Sequence, residues 1–245
     1  MNVLDWFLDP ANWVGPDGIP VQVGFQLLYS AIALAISLAI GVPLGIFIGY
    51  TGKGEGIVAG LANSLRALPT LGLLVLLYLV LAPVVIGQMV YVVPTIIVLV
   101  LLAVPPILTG TYSGIQSADP DAVNAARGLG YTKRQILWNV QLPCALPLLL
   151  SGVRSSTLQV VSTATVAAYL GLQGLGRYIL DGRAQGDYAQ MAGGAILVAA
   201  LALVLEFTFI GVGRLVVSPG LQRVTRRTRK TNVSTATSAI QLGAS

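Results

Sequence analysis

Residues 18–52 contain no Lys, Arg, Asp or Glu, and neither do residues 67–118, 155–176, 188–205 or 207–213. A bilayer core about 30 Å thick takes roughly 20 apolar residues per helical crossing. The long charge-free blocks therefore hold one or two crossings each, and the last two are separated only by Glu206. Only 9% of the chain is charged, against about 25% in an average soluble domain, too little to cover a water-soluble surface. With no water in the hydrocarbon to satisfy backbone groups, such segments must be helices. The sequence thus predicts an all-α, polytopic membrane protein with about five spans, near 24–50, 68–82, 89–109, 146–169 and 190–217. The 67–118 block supplies two of them, hinged around Ala82-Pro83 and Gly87-Gln88.

Lys and Arg collect on the cytoplasmic side of membrane proteins. Five spans with residues 119–135 inside put the N-terminus outside and the C-terminus in the cytoplasm. All but Arg177 and Arg183 of the 14 basic residues then face inward. Asp5, Asp9, Asp17, Asp181 and Asp187 face outward. The sequence pI of about 9.6 follows from that bias and from the Arg223–Lys230 cluster, which suits anionic lipid, not nucleic acid. Cys144 is the single cysteine, so no disulfide framework exists. The first residues lack a cleavable signal's basic flank, and the first span is expected to serve as insertion signal.

Three regions follow. Residues 1–20, with Trp6, Phe7 and Trp13, read as an outer segment with interfacial aromatics. Residues 21–220 form the transmembrane domain, with a short inner connection at 51–66 and an outer loop at 171–189. Residues 221–245 form a basic, then Ser/Thr-rich cytoplasmic tail too polar to order itself. No internal repeat is present, so the inverted-repeat pattern of many secondary transporters finds no support.

The insert at 119–135 carries the most information. Asp119 or Asp121 can cap a helix N-terminus, and Pro120 suits the first turn. Ala122, Val123, Asn124, Ala125 and Ala126 give that helix a small-residue face, and the Gly128–Gly130 pair ends it. Gly130 allows a sharp turn. A second helix from about Thr132 carries Lys133 and Arg134 to solvent. Leu142-Pro143 is expected to end it where the chain re-enters lipid.

This spacing, Asn124-Ala125-Ala126, then Gly130, then Val140-x-Leu142-Pro143, resembles the EAA loop of ABC importer permeases. The acidic first position of that pattern is Asn124 here. In such permeases the loop docks the ATPase subunit, so the resemblance implies a coupling role for Asp119, Asp121, Asn124, Ala125, Ala126, Gly128, Gly130, Lys133, Arg134, Leu142 and Pro143. With no carboxylate at 124, coupling would rest on packing, hydrogen bonds or Asp121.

The stretches Arg66-Ala-Leu-Pro-Thr70, Ala125 to Thr132, Pro147 to Arg154 and Gly174-Leu-Gly-Arg-Tyr-Ile179 resemble the osmoprotectant permeases, importers of glycine betaine, choline, carnitine and similar quaternary ammonium solutes. The resemblance spans roughly residues 22–220. It implies a pair of permease subunits, identical or homologous, on two ABC ATPase subunits, fed by an external solute-binding protein. No G-x-x-x-x-G-K-[ST] phosphate loop occurs, since Gly52-Lys53 is followed by Gly54. The chain is therefore expected to bind no cofactor itself, with ATP and Mg on the partner ATPase. A permease for methionine or another amino acid is the alternative within this class.

A buried carboxylate is costly in lipid, so Glu206 should face protein or water. Two readings stay open: a cation-attracting group on the substrate path or subunit interface, or a packing hydrogen bond to a Ser, Thr or Tyr. Ser155, Ser156, Thr157, Ser162, Thr163 and Thr165 on the fourth span either pack helices closely or line a polar path. Tyr78, Tyr91, Tyr112 and Tyr169 offer cation-binding faces or interfacial anchors. Arg154 is expected to snorkel to the inner surface. Pro43, Pro94, Pro105 and Pro106 are expected to kink spans one and three. The chain lacks histidine, which removes histidine triads and most zinc sites, and Cys144 has no candidate base; an enzyme is disfavoured. A channel or self-powered transporter would need ion-coupling carboxylates, and only Glu206 is available.

Overall fold

A computed structural model describes residues 2–216. The Arg223–Lys230 cluster and the 221–245 tail lie outside the described residues. Helix α1 (Val3–Leu8) and a 3-10 turn at Pro10–Trp13 lead into α2 (Ile19–Thr51). Next come α3 (Glu55–Ala67), α4 (Thr70–Leu81), α5 (Met89–Gln116), α6 (Pro120–Gly128), α7 (Lys133–Ile136), α8 (Leu142–Ala164), α9 (Gly176–Gln185) and α10 (Tyr188–Val216). Four helical runs are long and apolar enough to cross a membrane: Ile19–Thr51, Met89–Gln116, Lys133–Leu170 and Tyr188–Leu215.

The second apolar segment, expected near 68–82, is helix α4 at Thr70–Leu81. Helix α4 has 12 residues, about 18 Å at 1.5 Å per residue, and is short for a crossing. The cause is Pro69, which forces Leu68 into an extended conformation (ψ 133°) and splits the region in two. Residues 55–67, expected as a plain inner connection, form α3 on the near side of that break.

Helix α5 is the centre, packed by α2 on one flank and α8 on another. Lipid tails are as apolar as leucine, so close contact rather than water exclusion holds such helices together. Gly41, Gly45 and Gly49 of α2 form a small-residue stripe against α5. A Cβ on Gly45 would sit 2.6 Å from the Thr111 side chain. On the other flank, a Cβ on Gly152 of α8 would lie 2.5 Å from the Pro106 carbonyl oxygen of α5. Ser156 of α8 then donates a hydrogen bond (2.7 Å) to the Ala103 carbonyl. Pro43, Pro94, Pro105 and Pro106 all lie inside continuous helices.

At the end opposite the insert, the molecule is closed by short pieces. Trp6 of α1 is buried, edge-on to Phe7 and Tyr178, and packs on Gly193 of α10, where a Cβ would meet its ring at 2.4 Å. The stretch after Gly171, expected as a loop, contains α9 because Gly176 allows the chain to touch the Thr165 carbonyl.

Candidate functional site

The insert folds as a helix, a turn and the foot of a long rod. Asp119 Oδ1 accepts from the Asp121 amide at 2.9 Å, with Pro120 in the first turn. Asp121 adds a negative charge where the helix dipole favours one. The C-terminus closes with the Leu129 amide on the Ala125 carbonyl (3.0 Å) and the Tyr131 amide on the Ala126 carbonyl (3.1 Å). That closure needs a left-handed residue, and Gly130 supplies it at φ +82°. Thr132 and Gln135 then cap the next helix reciprocally: Gln135 Oε1 accepts from the Thr132 amide at 2.8 Å, and Thr132 Oγ1 accepts from the Gln135 amide.

Burial sorts the α6 side chains. Ala126 is buried, while Asp121, Asn124, Ala125, Gly128, Lys133 and Arg134 are exposed. Asn124 Oδ1 accepts from the Arg127 guanidinium at 3.4 Å, so the amide serves an internal contact along its own helix. Beside this face, the foot of α2 and the insert enclose a cavity of about 310 Å³ lined by Tyr50, Val123, Arg127, Lys133, Ile136 and Gln141.

Leu142-Pro143 does not end the second helix. Residues Lys133–Leu170 run as one 38-residue helix. The proline is accommodated because Leu137–Gln141, just before it, adopts a π-helical turn. The wider turn relieves the clash that the ring of Pro143 would make with a preceding carbonyl. Leu142 is half-buried and Pro143 exposed.

The candidate path residues separate into two groups. Ser162 and Tyr169 are exposed and Thr165 half-buried, all on one flank of the helical run. Ser151 and Ser155, also exposed, continue that flank. Thr163 points elsewhere, into a narrow gap with Thr70, Leu74 and Thr95 between α4 and α5. Their hydroxyls bond internally, Ser162 to the Leu158 carbonyl and Thr165 to the Ser162 carbonyl.

Glu206 meets none of them. Its partner is Arg154: Nε donates to Oε2 at 2.7 Å, and the second guanidinium nitrogen contacts Oε1. Arg154 is therefore tied to Glu206, and Glu206 is not held by a hydroxyl. The geometry is two-pronged, which favours a fixed Arg–carboxylate pair, and it ties α8 to α10. It is one of two ion pairs among the described residues.

Two glutamines escaped the sequence reading. Gln22 and Gln26 of α2 are buried. Gln22 Oε1 accepts from the Gly174 amide at 2.6 Å, and its amide group contacts Gln173. Gln26 Nε2 donates to the Val161 carbonyl at 2.7 Å, while its Oε1 accepts from the Leu175 amide at 3.3 Å. They pin the Gly171–Leu175 turn onto α2. The signal was their spacing: Gln22, Gln26, Ser30 and Ser37 share one face of a lipid-length helix, a pattern for polar residues packed inward. Tyr178, at the same end, donates to the Asp17 carbonyl at 2.5 Å. Burial, with the Asp17 charge, pushes its phenol up to about 12.

A helical membrane domain with a capped helix–turn–helix insert at residues 119–135 matches a known family. The model for the binding-protein-dependent transport system inner membrane component covers residues 41–223. The chain belongs to that family. Such proteins are permease subunits of ABC importers, and this chain is a multi-pass membrane protein of that kind. The choline transport system permease protein OpuBB of Bacillus subtilis is 33% identical over 172 residues, 70% of this chain and 76% of that protein. The glycine betaine/carnitine/choline transport system permease protein OpuCB of the same organism is 33% identical over 170 residues, 69% of this chain and 75% of that one. Among solved structures, an inward-facing MetNI methionine ABC transporter aligns with a TM-score of 0.68 at 22% identity, covering 86% of this chain and 99% of that one. At that identity the likeness speaks for the fold alone.

Proposed function

We propose that this permease carries a quaternary ammonium osmoprotectant, in the class of glycine betaine, choline or carnitine, and that it receives the solute from a separate binding protein. The observation that carries this reading is the one-third identity, over more than two thirds of the chain, to permeases named for those solutes. The methionine neighbour supports fold only, which leaves the amino-acid reading second. Uptake of labelled betaine, choline, carnitine and methionine in an uptake-deficient host separates them; methionine uptake alone would overturn the assignment.

Residues 119–135 dock an ATPase that binds ATP and Mg in trans, two copies serving a pair of permeases. The exposed face of Asp121, Asn124, Ala125 and Gly128 supports this, because small side chains admit close approach of a partner surface. Lys133 and Arg134 stand beside that face, while Asp119, Ala126, Gly130, Leu142 and Pro143 shape it. Force then passes up the unbroken Lys133–Leu170 helix and across Arg154–Glu206 to α10. The basic bias of the insert supports a cytoplasmic position for it, with the N-terminus outside and the C-terminus inside.

The exposed flank formed by Ser155 and Ser162 of α8, continued by Tyr169 in the helical segment beyond it, faces the translocation path or the second permease. A hydroxyl stripe of that kind holds solute weakly, which suits a pump whose selectivity resides in a binding protein. The docking claim is tested by Ala125→Trp. The residue is exposed on a regular helix, so insertion and folding survive while ATPase co-purification is lost. Undiminished co-purification would remove the insert from the coupling role.

A further inference from the structure

Between the Arg154–Glu206 pair and the insert, α8 and α10 part to leave a groove of about 300 Å³. Leu150, Phe209 and Ile210 give it apolar walls, and Ser151, Arg154 and Arg214 supply its polar groups. No carboxylate lines it. Glu206 engages Arg154 from beyond the groove, whereas Arg214 has no ion-pair partner among the described residues and is exposed. The helices run antiparallel here, so Arg214 stands at the end nearer the insert, and the apolar walls extend from it toward the middle of the span.

A cation at one end of an apolar channel between two membrane helices complements an anionic headgroup with its chain attached. We propose that this groove is a binding site for an anionic phospholipid, its phosphate on Arg214 and an acyl chain along Leu150, Phe209 and Ile210. A free phosphate would gain nothing from those walls. A second permease copy seated there would desolvate Arg214 with no carboxylate from this face to meet it. The site requires only that the chain spans a membrane and is independent of which solute it carries.

The test uses the full-length chain, purified with whatever subunits accompany it and exchanged into nanodiscs of equal phosphatidylglycerol and phosphatidylcholine. Native mass spectrometry then counts retained lipid. Phosphatidylglycerol is retained over phosphatidylcholine, and Arg214→Gln lowers its retention roughly fivefold, the worth of one cation near an anionic surface. Ile210→Trp, which fills the groove and leaves every charge in place, lowers it as well. Arg183→Gln, an exposed cation on α9 at the other end of the molecule, leaves it unchanged. Equal retention by Arg214→Gln and the parent overturns the proposal, as does an equal loss in Arg183→Gln. Displacement of the lipid by millimolar inorganic phosphate overturns it in favour of a free anion. Disulfide cross-linking of two chains through Ile210→Cys overturns it in favour of a second copy.

Discussion

Glu206 illustrates how a lone acid in a span acquires a meaning only with its partner. The sequence supplied the carboxylate and Arg154, 52 positions apart, but no spacing rule connects residues on separate helices. Once paired, each ion depends on the other: removing one leaves a partly desolvated charge. Arg154 keeps two fifths of its side-chain surface exposed, so the cost is less than for a sealed pair. We expect Glu206→Gln to lower stability by about 1–3 kcal/mol, the range for a partly buried polar group left without its partner. Arg154→Met combined with Glu206→Gln should recover much of it. Thermal melting in detergent checks this, and a double variant no better than the single one would refute the pairing account. Tyr178 gives a second test. Its folded value of about 12 exceeds the ordinary value near 10, so the fold favours the neutral phenol. That stabilisation is complete below pH 10 and is lost as pH rises through 12. In Tyr178→Phe this alkaline loss should disappear from melting curves recorded across that window; an unchanged pH dependence would place its origin elsewhere.

Helices α2, α5 and α8 were legible as apolar segments because charge-free runs declare themselves. Their contacts were legible only in part. Gly41, Gly45 and Gly49 are spaced by fours, a sequence-level sign of a close helix interface, whereas Gly152 meeting Pro106 has no local signature. Gly152→Leu should therefore prevent α8 from seating on α5, with loss of folded protein in fluorescence size-exclusion profiles. Gly128→Leu, in open space, should leave those profiles intact. The second span, read near 68–82, is met by α4 at Thr70–Leu81, because Pro69 sets its start and a proline is visible in any sequence. The π-helical turn before Pro143 is the opposite case, in which a proline expected to stop a helix is absorbed by one wide turn. On α8, the exposed hydroxyl flank predicts that, in a Cys144→Ala background, cysteines at positions 155 and 162 react with a membrane-impermeant maleimide in the assembled transporter. Cysteines replacing the buried Val160 and Val161 should stay protected; equal labelling would deny the path a distinct wall.

For the molecule entire, the insert could be read almost to the residue, since capping boxes, small faces and left-handed glycines are local physics. The closed end remote from it could not. Trp6 on Gly193, Gln22 and Gln26 on the Gly171–Leu175 turn, and Tyr178 on Asp17, 161 positions away, join segments distant in the chain. Those joins were invisible to any window along the chain. The two ends are nonetheless linked by one continuous helical run, Lys133–Leu170. From Lys133 to Arg154 is about 32 Å of helix, and from Arg154 to Leu170 about 24 Å. If this run pivots near the ion pair, a swing of about 2 Å at the insert becomes a counter-swing of roughly 1.5 Å at the far rim. The turn gripped by the two glutamines sits at that rim, so on the proposed docking a push at the insert would arrive there as a tug.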